Sequence, residues 1–214
     1  MNNQNKITNF FSTTIPSPTP TVKIVEPVVL IPGLTIMQEY ITEEEETKLL
    51  DEVYASQWSN SLRRRVQHYG YAYNYQERTT ATEPIQPLPG WTQSLASRLY
   101  DDGFFAELPT QLIVNEYTPG QGIGSHTDAN VFGPSIATLS LGSTCGFIFT
   151  RGNTPDTLEK VEIFLKPRTL VVMTGEARWV WKHCILQRKQ DIAPNGDTIK
   201  RSTRVSLTFR TMVQ

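Results

Sequence analysis

His126 and Asp128, which are separated by one residue, and the more distant His183 are the residues best suited to metal chemistry. Two imidazoles and one carboxylate form the triad that holds Fe(II) and leaves coordination positions open for a substrate and O₂. Because residues i and i+2 of a strand point to the same face, a strand through His126 would present both ligands to one ion. These three residues therefore predict an iron site.

A strand-like run near the C-terminus alternates polar and apolar side chains and has an arginine at each end, Arg204 and Arg210. The polar positions between them are Ser206 and Thr208. An arginine on the inner face of a strand is costly to bury without an anion, and its planar fork suits a carboxylate better than lysine does. The pattern therefore predicts a buried anionic ligand.

Together these motifs resemble the AlkB family of Fe(II)/2-oxoglutarate-dependent dioxygenases, over a stretch from about Pro32 to Arg210. The matching pieces are Asn115-x-Tyr117, His126-x-Asp128, the downstream His183 and Arg204-x-Ser206-x-Thr208-x-Arg210. The family usually has Asn where this chain has Ser206. The resemblance implies that His126, Asp128 and His183 hold Fe(II) as the catalytic centre, with 2-oxoglutarate and O₂ as co-substrates.

The resemblance also implies how the co-substrate is bound. In the family, 2-oxoglutarate chelates the iron through its keto acid end, so its far carboxylate needs a buried cation. We expect Arg210 to pair with that distal carboxylate and Arg204 to support the keto acid end. Asn115, Tyr117 and Ser206 match the other co-substrate contacts of the family.

The same register implies contacts to a nucleobase by Tyr73, Tyr75, Asn130 and Arg178. Arg178 ends the segment Gly175-Glu-Ala-Arg178, which matches a family segment near the nucleobase pocket. The tyrosines stand where the family has a nucleotide-recognition lid, and they could stack on an extruded base. Alternatively, they pack along one face of a hairpin.

Two subgroups of the family compete as the better match. The core is most similar to the AlkB-like domain of the eukaryotic enzyme that hydroxylates a modified wobble uridine in tRNA. The DNA-repair subgroup usually has an acidic residue two positions beyond the metal aspartate, and this chain has Asn130 there. A neutral side chain argues against a cationic methylated base, which a carboxylate would favour.

Residues 1–27 are rich in Asn, Thr, Ser and Pro, and we expect them to form a disordered or extended tail. Within this tail, Gln4, Ile7, Phe10 and Phe11 resemble the motif by which replication and repair proteins bind the sliding clamp. A short turn would gather the three apolar side chains into one plug for a hydrophobic pocket. Alternatively, the tail packs against its own domain.

The tail motif makes oxidative dealkylation of DNA bases our leading expectation, with DNA and a sliding clamp as partners in the nucleus or at a viral replication site. In the family, the alkyl carbon next to nitrogen is hydroxylated, and the product then releases an aldehyde. The alternative is hydroxylation or demethylation of RNA, especially tRNA, in the cytoplasm. A third possibility is a binding module without catalysis, which the complete triad and both arginines disfavour.

Composition adds few constraints. The formal net charge is −1, so attraction to phosphates must come from local patches such as Arg63–Arg65 or the cations between Lys182 and Arg201. Either patch could equally be solvated surface charge. Cys145 and Cys184 lie in apolar runs, so we expect two buried, reduced thiols. We expect no membrane span and a monomer.

The elements that must position these residues are mostly short strands. Thr42-Glu-Glu-Glu45 predicts a capping box at the start of a helix, and a second helix is predicted over 92–100. Residues 63–75 are predicted to form a hairpin, and six strands follow from Gln111 onward, punctuated by Gly and Pro. We therefore predict one domain over 28–214, mainly β with α, a double-stranded β-helix (jelly roll) with an N-terminal α/β extension.

Overall fold

The computed structural model describes residues 31–60, 62–74 and 79–213, with the side chains of residues 72–85 excepted. The helices in these ranges are α1 (Glu43–Ala55), α2 (Gly90–Asp101) and α3 (Gly175–Trp179). The strands are β1 (Leu34–Met37), β2 (Val66–Asn74), β3 (Thr79–Gln86), β4 (Gln111–Tyr117), β5 (Ile123–His126), β6 (Phe132–Gly142), β7 (Cys145–Arg151), β8 (Glu159–Leu165), β9 (Leu170–Met173), β10 (Lys182–Ile185), β11 (Gln190–Ile192), β12 (Thr198–Lys200) and β13 (Arg204–Met212).

The strands form two antiparallel sheets and a small hairpin. One sheet has seven strands in the order β1-β9-β6-β13-β4-β2-β3, and the other has four in the order β5-β10-β7-β8. Strands β11 and β12 pair with each other. This arrangement, with α1 and α2 among the N-terminal elements, confirms the predicted jelly roll with an N-terminal α/β extension.

Strand β13 is central to the large sheet because it pairs with both β4 and β6. Its apolar side chains, Val205, Leu207 and Phe209, pack in one core cluster with residues of α1 and α2. Since side chains alternate along a strand, the polar residues of β13 face the opposite side. The alternation read from the sequence is therefore confirmed, and it directs four polar side chains towards the small sheet.

A second core cluster joins the two sheets. It includes Phe132 from the large sheet, Phe147 and Phe149 from the small one, and the buried Trp181 just after α3. The apolar surface buried here holds the sheets face to face at one end. The polar residues of β13 lie beside this cluster, so they border a cavity rather than a solid core.

Two local predictions, the capping box and the two buried, free cysteines, are confirmed. Thr42 and Glu45 form the capping box, with the Glu45 amide donating to the Thr42 hydroxyl and the Thr42 amide donating to the Glu45 carboxylate. Both cysteines are buried and free. Among the described residues, no helix is both long and apolar enough to span a membrane.

Two local predictions are wrong. Residues 63–75 do not form a hairpin by themselves, because β2 is one strand that pairs with β4 on one side and with β3 on the other. The segment 179–182 is not a strand leading to His183, because α3 runs through Trp179 and β10 begins at Lys182. The expected domain start at Val28 and the tail lie outside the described residues.

Candidate metal and co-substrate site

The two predicted histidine ligands are cross-strand neighbours. His126 is the last residue of β5, His183 lies in β10, and the two are paired in register. Their ring centroids are 4.4 Å apart. Together with Asp128 they offer ligand atoms that all lie within 4.8 Å of one another, so the structure brings the predicted triad together.

Asp128 reaches this point differently from the prediction. Strand β5 ends at His126, so Asp128 lies in the following loop and not on the same strand face. Its carboxylate Oδ2 is 3.6 Å from His183 Nε2. The prediction that His126 and Asp128 share one strand face is therefore wrong, although both residues belong to the triad. The loop after β5, and not strand alternation, places the Asp128 carboxylate.

The orientation of the imidazoles suits a metal ligand. His126 Nδ1 lies 2.8 Å from the Gly124 carbonyl oxygen, so Nδ1 is the donor there and Nε2 is the nitrogen that a metal would bind. Burial lowers the pKa of His183 to about 4, against the opposing effect of Asp128, and His126 and Arg210 lower it further. A neutral His183 at physiological pH is a competent ligand.

The carboxylate ligand is held in its charged form. Burial alone would raise the pKa of Asp128, but the Arg210 guanidinium that contacts it keeps this pKa well below its usual range. Arg210 Nη2 donates to Asp128 Oδ1, and Arg210 Nη1 donates to Gln111 Oε1 at 3.0 Å. An ionised carboxylate is thus available to a cation without a change of protonation.

The loop that carries Asp128 is held by Arg178 from the short helix α3. Arg178 is only 2% exposed, and its guanidinium stacks on the Trp179 ring at 3.9 Å. It donates to four backbone carbonyl oxygens, those of Asp128 and Ala129 in this loop and those of Phe132 and Gly133 at the start of β6. A planar group with several donors suits such a cluster of acceptors. Arg178 therefore positions the metal loop, whereas its predicted contact to a nucleotide stays a prediction.

A cavity of about 850 Å³ opens above the triad. Its described wall includes the triad and the predicted co-substrate residues Asn115, Tyr117, Arg204, Ser206 and Arg210. The pairing of β4 with β13 sets Asn115 opposite Ser206 and Tyr117 opposite Arg204. Two motifs about ninety residues apart in the sequence thus form one wall.

The two arginines of β13 have different surroundings, which favour the reverse of the roles that we expected. Arg210 lies at the triad, bound to Asp128, on the side where the keto acid end of the co-substrate would bind. Arg204 is buried, donates from Nη2 to Ser140 Oγ at 2.8 Å, and leaves Nε and Nη1 without a partner among the described residues. Because buried donors call for an acceptor, we propose the distal carboxylate for Arg204 and the keto acid end for Arg210, in exchange of the roles expected from the sequence.

The predicted substrate residues are only partly described. Asn130 is exposed and lines the cavity. The backbone of Tyr73 belongs to β2, but its side chain and the whole of Tyr75 lie outside the described residues. Gln4, Ile7, Phe10 and Phe11 also lie outside them, so the tail motif stays a prediction.

Gln111, Ser140 and Arg64 were not predicted as residues of this site. Gln111 and Ser140 accept hydrogen bonds from Arg210 and Arg204 respectively. Antiparallel pairing of the predicted strands at 111–117 and 204–212 would have suggested Gln111 as a neighbour of Arg210. No comparable signal marks Arg64, which lines the cavity from the bend before β2.

The geometry of the site agrees with a family comparison, in which residues 33–210 match the 2OG-Fe(II) oxygenase superfamily. The chain belongs to this superfamily. Protein L905 of Acanthamoeba polyphaga mimivirus, which is named as uncharacterized, is 34% identical over 183 residues, covering 85% of this chain and 86% of the viral protein. The mouse tRNA (carboxymethyluridine(34)-5-O)-methyltransferase ALKBH8 is 35% identical over 208 residues, covering 85% of this chain but only 30% of the mouse protein.

A solved structure supports the fold of this 2OG-Fe(II) oxygenase. The structure of OsALKBH1 superposes with a TM-score of 0.61 at 19% identity, covering 85% of this chain and 98% of that one. At this identity the likeness concerns the fold alone. The similarity to ALKBH8 confirms the AlkB resemblance that the motifs indicated.

The residues of this oxygenase fit Fe(II) and 2-oxoglutarate. The triad offers two imidazoles and one carboxylate whose ligand atoms lie within 4.8 Å of one another, and the Nε and Nη1 of Arg204, which have no partner among the described residues, suit a carboxylate. Fe(II), 2-oxoglutarate and O₂ together supply the oxidation of an unactivated C–H bond. Arg204, Arg210 and Asn115 line the cavity and would bind and orient the co-substrate, which would leave the part of the cavity near Asn130 for the substrate.

Proposed function

We propose that this oxygenase hydroxylates a substituent of an uncharged or anionic nucleobase in RNA, with a modified wobble uridine of tRNA as the preferred substrate. The charge of the cavity wall carries this proposal. Asp128 is the one carboxylate among the described residues that line the cavity, and Arg210 already pairs with it. The wall also includes Arg64 and Lys182, so a cationic base would find no free anion.

Asn130 supports the same substrate class. Its side chain is exposed at the cavity and offers one amide acceptor and two amide donors but no charge. Those groups can read the edge of a neutral base such as uracil, whereas a positively charged lesion would gain from a carboxylate. The neutral residue at this position therefore favours an uncharged base.

Exposed cations near the cavity support a polyanionic substrate. Half of the basic residues in the two predicted patches already have a partner within the protein. Arg65 pairs with Glu116, Arg188 and Arg201 pair with Asp191, and Arg64 binds Asn115. Arg63, Lys182 and Lys189 are exposed, with no carboxylate partner among the described residues. Hydrogen bonds from Gln121 and Gly120 of the turn 118–121 to the backbone carbonyl oxygens of Arg63 and Arg188 bring segments of the two predicted patches close together, which suits a phosphate backbone.

The name of the mouse relative points to the same class of RNA. That protein is named for a reaction at carboxymethyluridine 34 of tRNA, and this chain spans 30% of its length. The shared region covers 85% of this chain. We therefore place the activity of this chain on the substituent at uridine C5, as a C–H hydroxylation.

The deciding experiment is mass spectrometry of nucleosides from tRNA and from methylated DNA oligomers after incubation with the enzyme, Fe(II) and 2-oxoglutarate. We expect a gain of one oxygen on a modified uridine of tRNA, with Asp128→Ala as the inactive control. Asn130→Asp should shift turnover towards cationic methylated bases. Loss of methyl groups from DNA, with tRNA unchanged, would overturn the proposal.

A second candidate function is oxidative dealkylation of DNA in the nucleus, and the tail motif favours it. Gln4, Ile7, Phe10 and Phe11 match a clamp-binding pattern, and tethering to a clamp would raise the local concentration of the enzyme at replicating DNA. Calorimetry of peptide 1–22 with a sliding clamp tests this candidate, and Phe10→Ala/Phe11→Ala is the control. If the parent peptide does not bind the clamp, this candidate loses its support and hydroxylation of RNA is the remaining proposal.

A further inference from the structure

Arg64 is the only member of the Arg63-Arg64-Arg65 run whose side chain lines the cavity wall. Arg63 is exposed, and Arg65 forms a two-point ion pair with Glu116, with Nε at 2.8 Å and Nη2 at 2.7 Å from its carboxylate oxygens. Three consecutive cations therefore have three different surroundings. These three residues look like one basic patch in the sequence, but the side chain of the middle one, Arg64, lines the cavity.

The backbone of this bend is held on both sides of Arg64. Gln121 Nε2 donates to the Arg63 carbonyl oxygen at 3.0 Å, and the Glu116 amide donates to the Arg65 carbonyl oxygen, also at 3.0 Å. Together with the ion pair of Arg65, these bonds hold residues 63–65 against the end of β4. The contacts of its neighbours Arg63 and Arg65 therefore direct Arg64 towards the cavity.

The guanidinium of Arg64 determines how the Asn115 amide is turned. Arg64 Nε donates to Asn115 Oδ1 at 2.8 Å, so the oxygen of this amide is engaged on the side of the bend. The other end of the amide is an NH₂ donor, and Asn115 is a cavity residue. The amide therefore presents a donor, and not an acceptor, to a ligand in the cavity.

Arg64 also contacts Tyr117, the next inward-facing residue of β4. The Arg64 guanidinium carbon is 5.6 Å from the centre of the Tyr117 ring, and that of Arg204 is 5.5 Å from the same ring. Cations at such distances from an aromatic ring are attracted to it. Arg64 thus touches both polar residues of β4 that face Arg204 and Ser206.

We propose that Arg64 is a positioning residue for 2-oxoglutarate, which orients the Asn115 amide donor towards the co-substrate and holds Tyr117 beside Arg204. It acts through these two side chains and takes no part in the oxidation. Without Arg64 the Asn115 amide is free to rotate, and its acceptor oxygen can then face the anionic co-substrate. The expected defect is weaker binding of 2-oxoglutarate with the metal site intact.

The direct test is calorimetric titration of 2-oxoglutarate into the full chain loaded with redox-inert Mn(II). Loss of one hydrogen bond to a charged group corresponds to about a tenfold rise in Kd, and we expect this rise for Arg64→Met. Arg63→Met removes the same charge one residue away and should leave Kd within about twofold of the parent value. The affinity for Mn(II) alone should be the same in all three proteins.

Two further variants distinguish a positioning role of Arg64 from a general attraction of its charge for 2-oxoglutarate and from misfolding. Arg64→Lys keeps the charge but lacks the planar fork, so it should recover only part of the lost affinity. In an Asn115→Ala background, Arg64→Met should have little further effect, because residues that act through one another are not additive. The same substitutions should raise KM for 2-oxoglutarate with kcat largely kept.

Four results would overturn the proposal. They are an unchanged Kd in Arg64→Met, an equal loss in Arg63→Met, complete recovery in Arg64→Lys, and a full additive loss in the Asn115→Ala background. If Arg64→Met fails to fold, Arg64→Lys and its combination with Asn115→Ala decide the question. None of these measurements uses a nucleic acid, so they are independent of the proposed substrate.

Discussion

The two sides of the cavity are built in different ways. On one side, strand β13 carries Arg204, Ser206, Thr208 and Arg210 at strict two-residue spacing, locked between β4 and β6. On the other side, Asp128 lies in a loop beyond the short strand β5, and the buried Arg178 holds that loop through backbone carbonyls. Ladder hydrogen bonds position the first set, and one side chain positions the second.

This difference shows which part of a site can be read from a sequence. A strand repeats every two residues, so the alternation of β13 predicted its inward-facing residues correctly. A loop has no period, so neither the turn that directs Asp128 nor the contact from Arg178, fifty positions away, was predicted. Substitutions on the two sides should accordingly affect different ligands.

The largest effect is expected from removal of the charged metal ligand. Asp128→Ala should reduce Fe(II) affinity by more than about 100-fold, because it removes a direct ligand and even indirect partners are worth 10–100-fold. It also leaves Arg210 buried without its anion. Metal titration and turnover of 2-oxoglutarate measure the loss, with Asn130→Ala in the same loop as the control. Parent-like activity in Asp128→Ala would refute the assignment.

The next effect concerns the strand side and the reassigned arginines. Arg204→Met should weaken 2-oxoglutarate binding by roughly two to three orders of magnitude, as expected for loss of one partner of a buried ion pair at about 3–5 kcal/mol. Fe(II) affinity should change little, because Arg204 does not contact the triad. Arg210→Met should weaken both ligands, because Arg210 bonds to Asp128.

The alternative assignment predicts the opposite pattern for these arginines. If Arg210 bound the distal carboxylate, Arg210→Met would weaken 2-oxoglutarate more than Arg204→Met does. Titration of both variants with succinate, which lacks the keto acid group, sharpens the comparison. Arg204→Met should reduce the affinity for succinate more than Arg210→Met does.

A smaller effect is expected from the side chain that holds the metal loop. Arg178→Met should lower Fe(II) affinity by about 10–100-fold, because four carbonyl oxygens lose their buried donor. Arg151→Met is the matched control, since Arg151 also stacks on an indole, that of Trp181, but donates to the carboxylates of Glu159 and Glu176. Unchanged metal binding with a raised KM for nucleic acid would instead support the nucleotide contact expected from the sequence.

The smallest effect is expected at Asp191 of β11, where ion pairs with Arg188 and Arg201 hold the small hairpin of β11 and β12. Burial would raise the pKa of Asp191, but bonds from Arg201, the Gly146 amide and Arg188 keep this pKa below its usual range. A carboxyl whose pKa is lowered on folding stabilises the fold above its unfolded pKa of about 3.9, and this contribution is lost as the pH falls further. Asp191→Asn should therefore cost about 1–3 kcal/mol at pH 7.

Urea unfolding of the Asp191→Asn protein across pH measures this contribution. The difference from the parent should shrink as the pH falls below about 4, because the parent carboxylate then becomes protonated. Asp197→Asn, in the exposed turn of the same hairpin, is the control and should differ little from the parent. A difference that stays constant between pH 7 and pH 3 would contradict the role of the charge.

The sequence by itself determined the fold class, the capping box of α1 and the alternation of polar and apolar side chains along β13, because capping and strand periodicity are local. It also predicted the iron triad and the co-substrate residues, through motifs whose spacing matches a known family. It did not determine that residues 66–74 form one strand of the large sheet or that α3 precedes β10. Those outcomes depend on partners distant in the chain, such as β3 and β4.

Only the tertiary structure decided which end of β13 lies at the triad and which acceptors surround each arginine. Arg204, Arg210, Arg178 and Arg64 are alike in charge, and the sequence could not rank them. Their roles follow from the acceptors that packing brings within hydrogen-bond distance, since a buried guanidinium must satisfy its donors where it lies. Those acceptors come from β4, β6 and the loop after β5, which are brought together only when the two sheets pack.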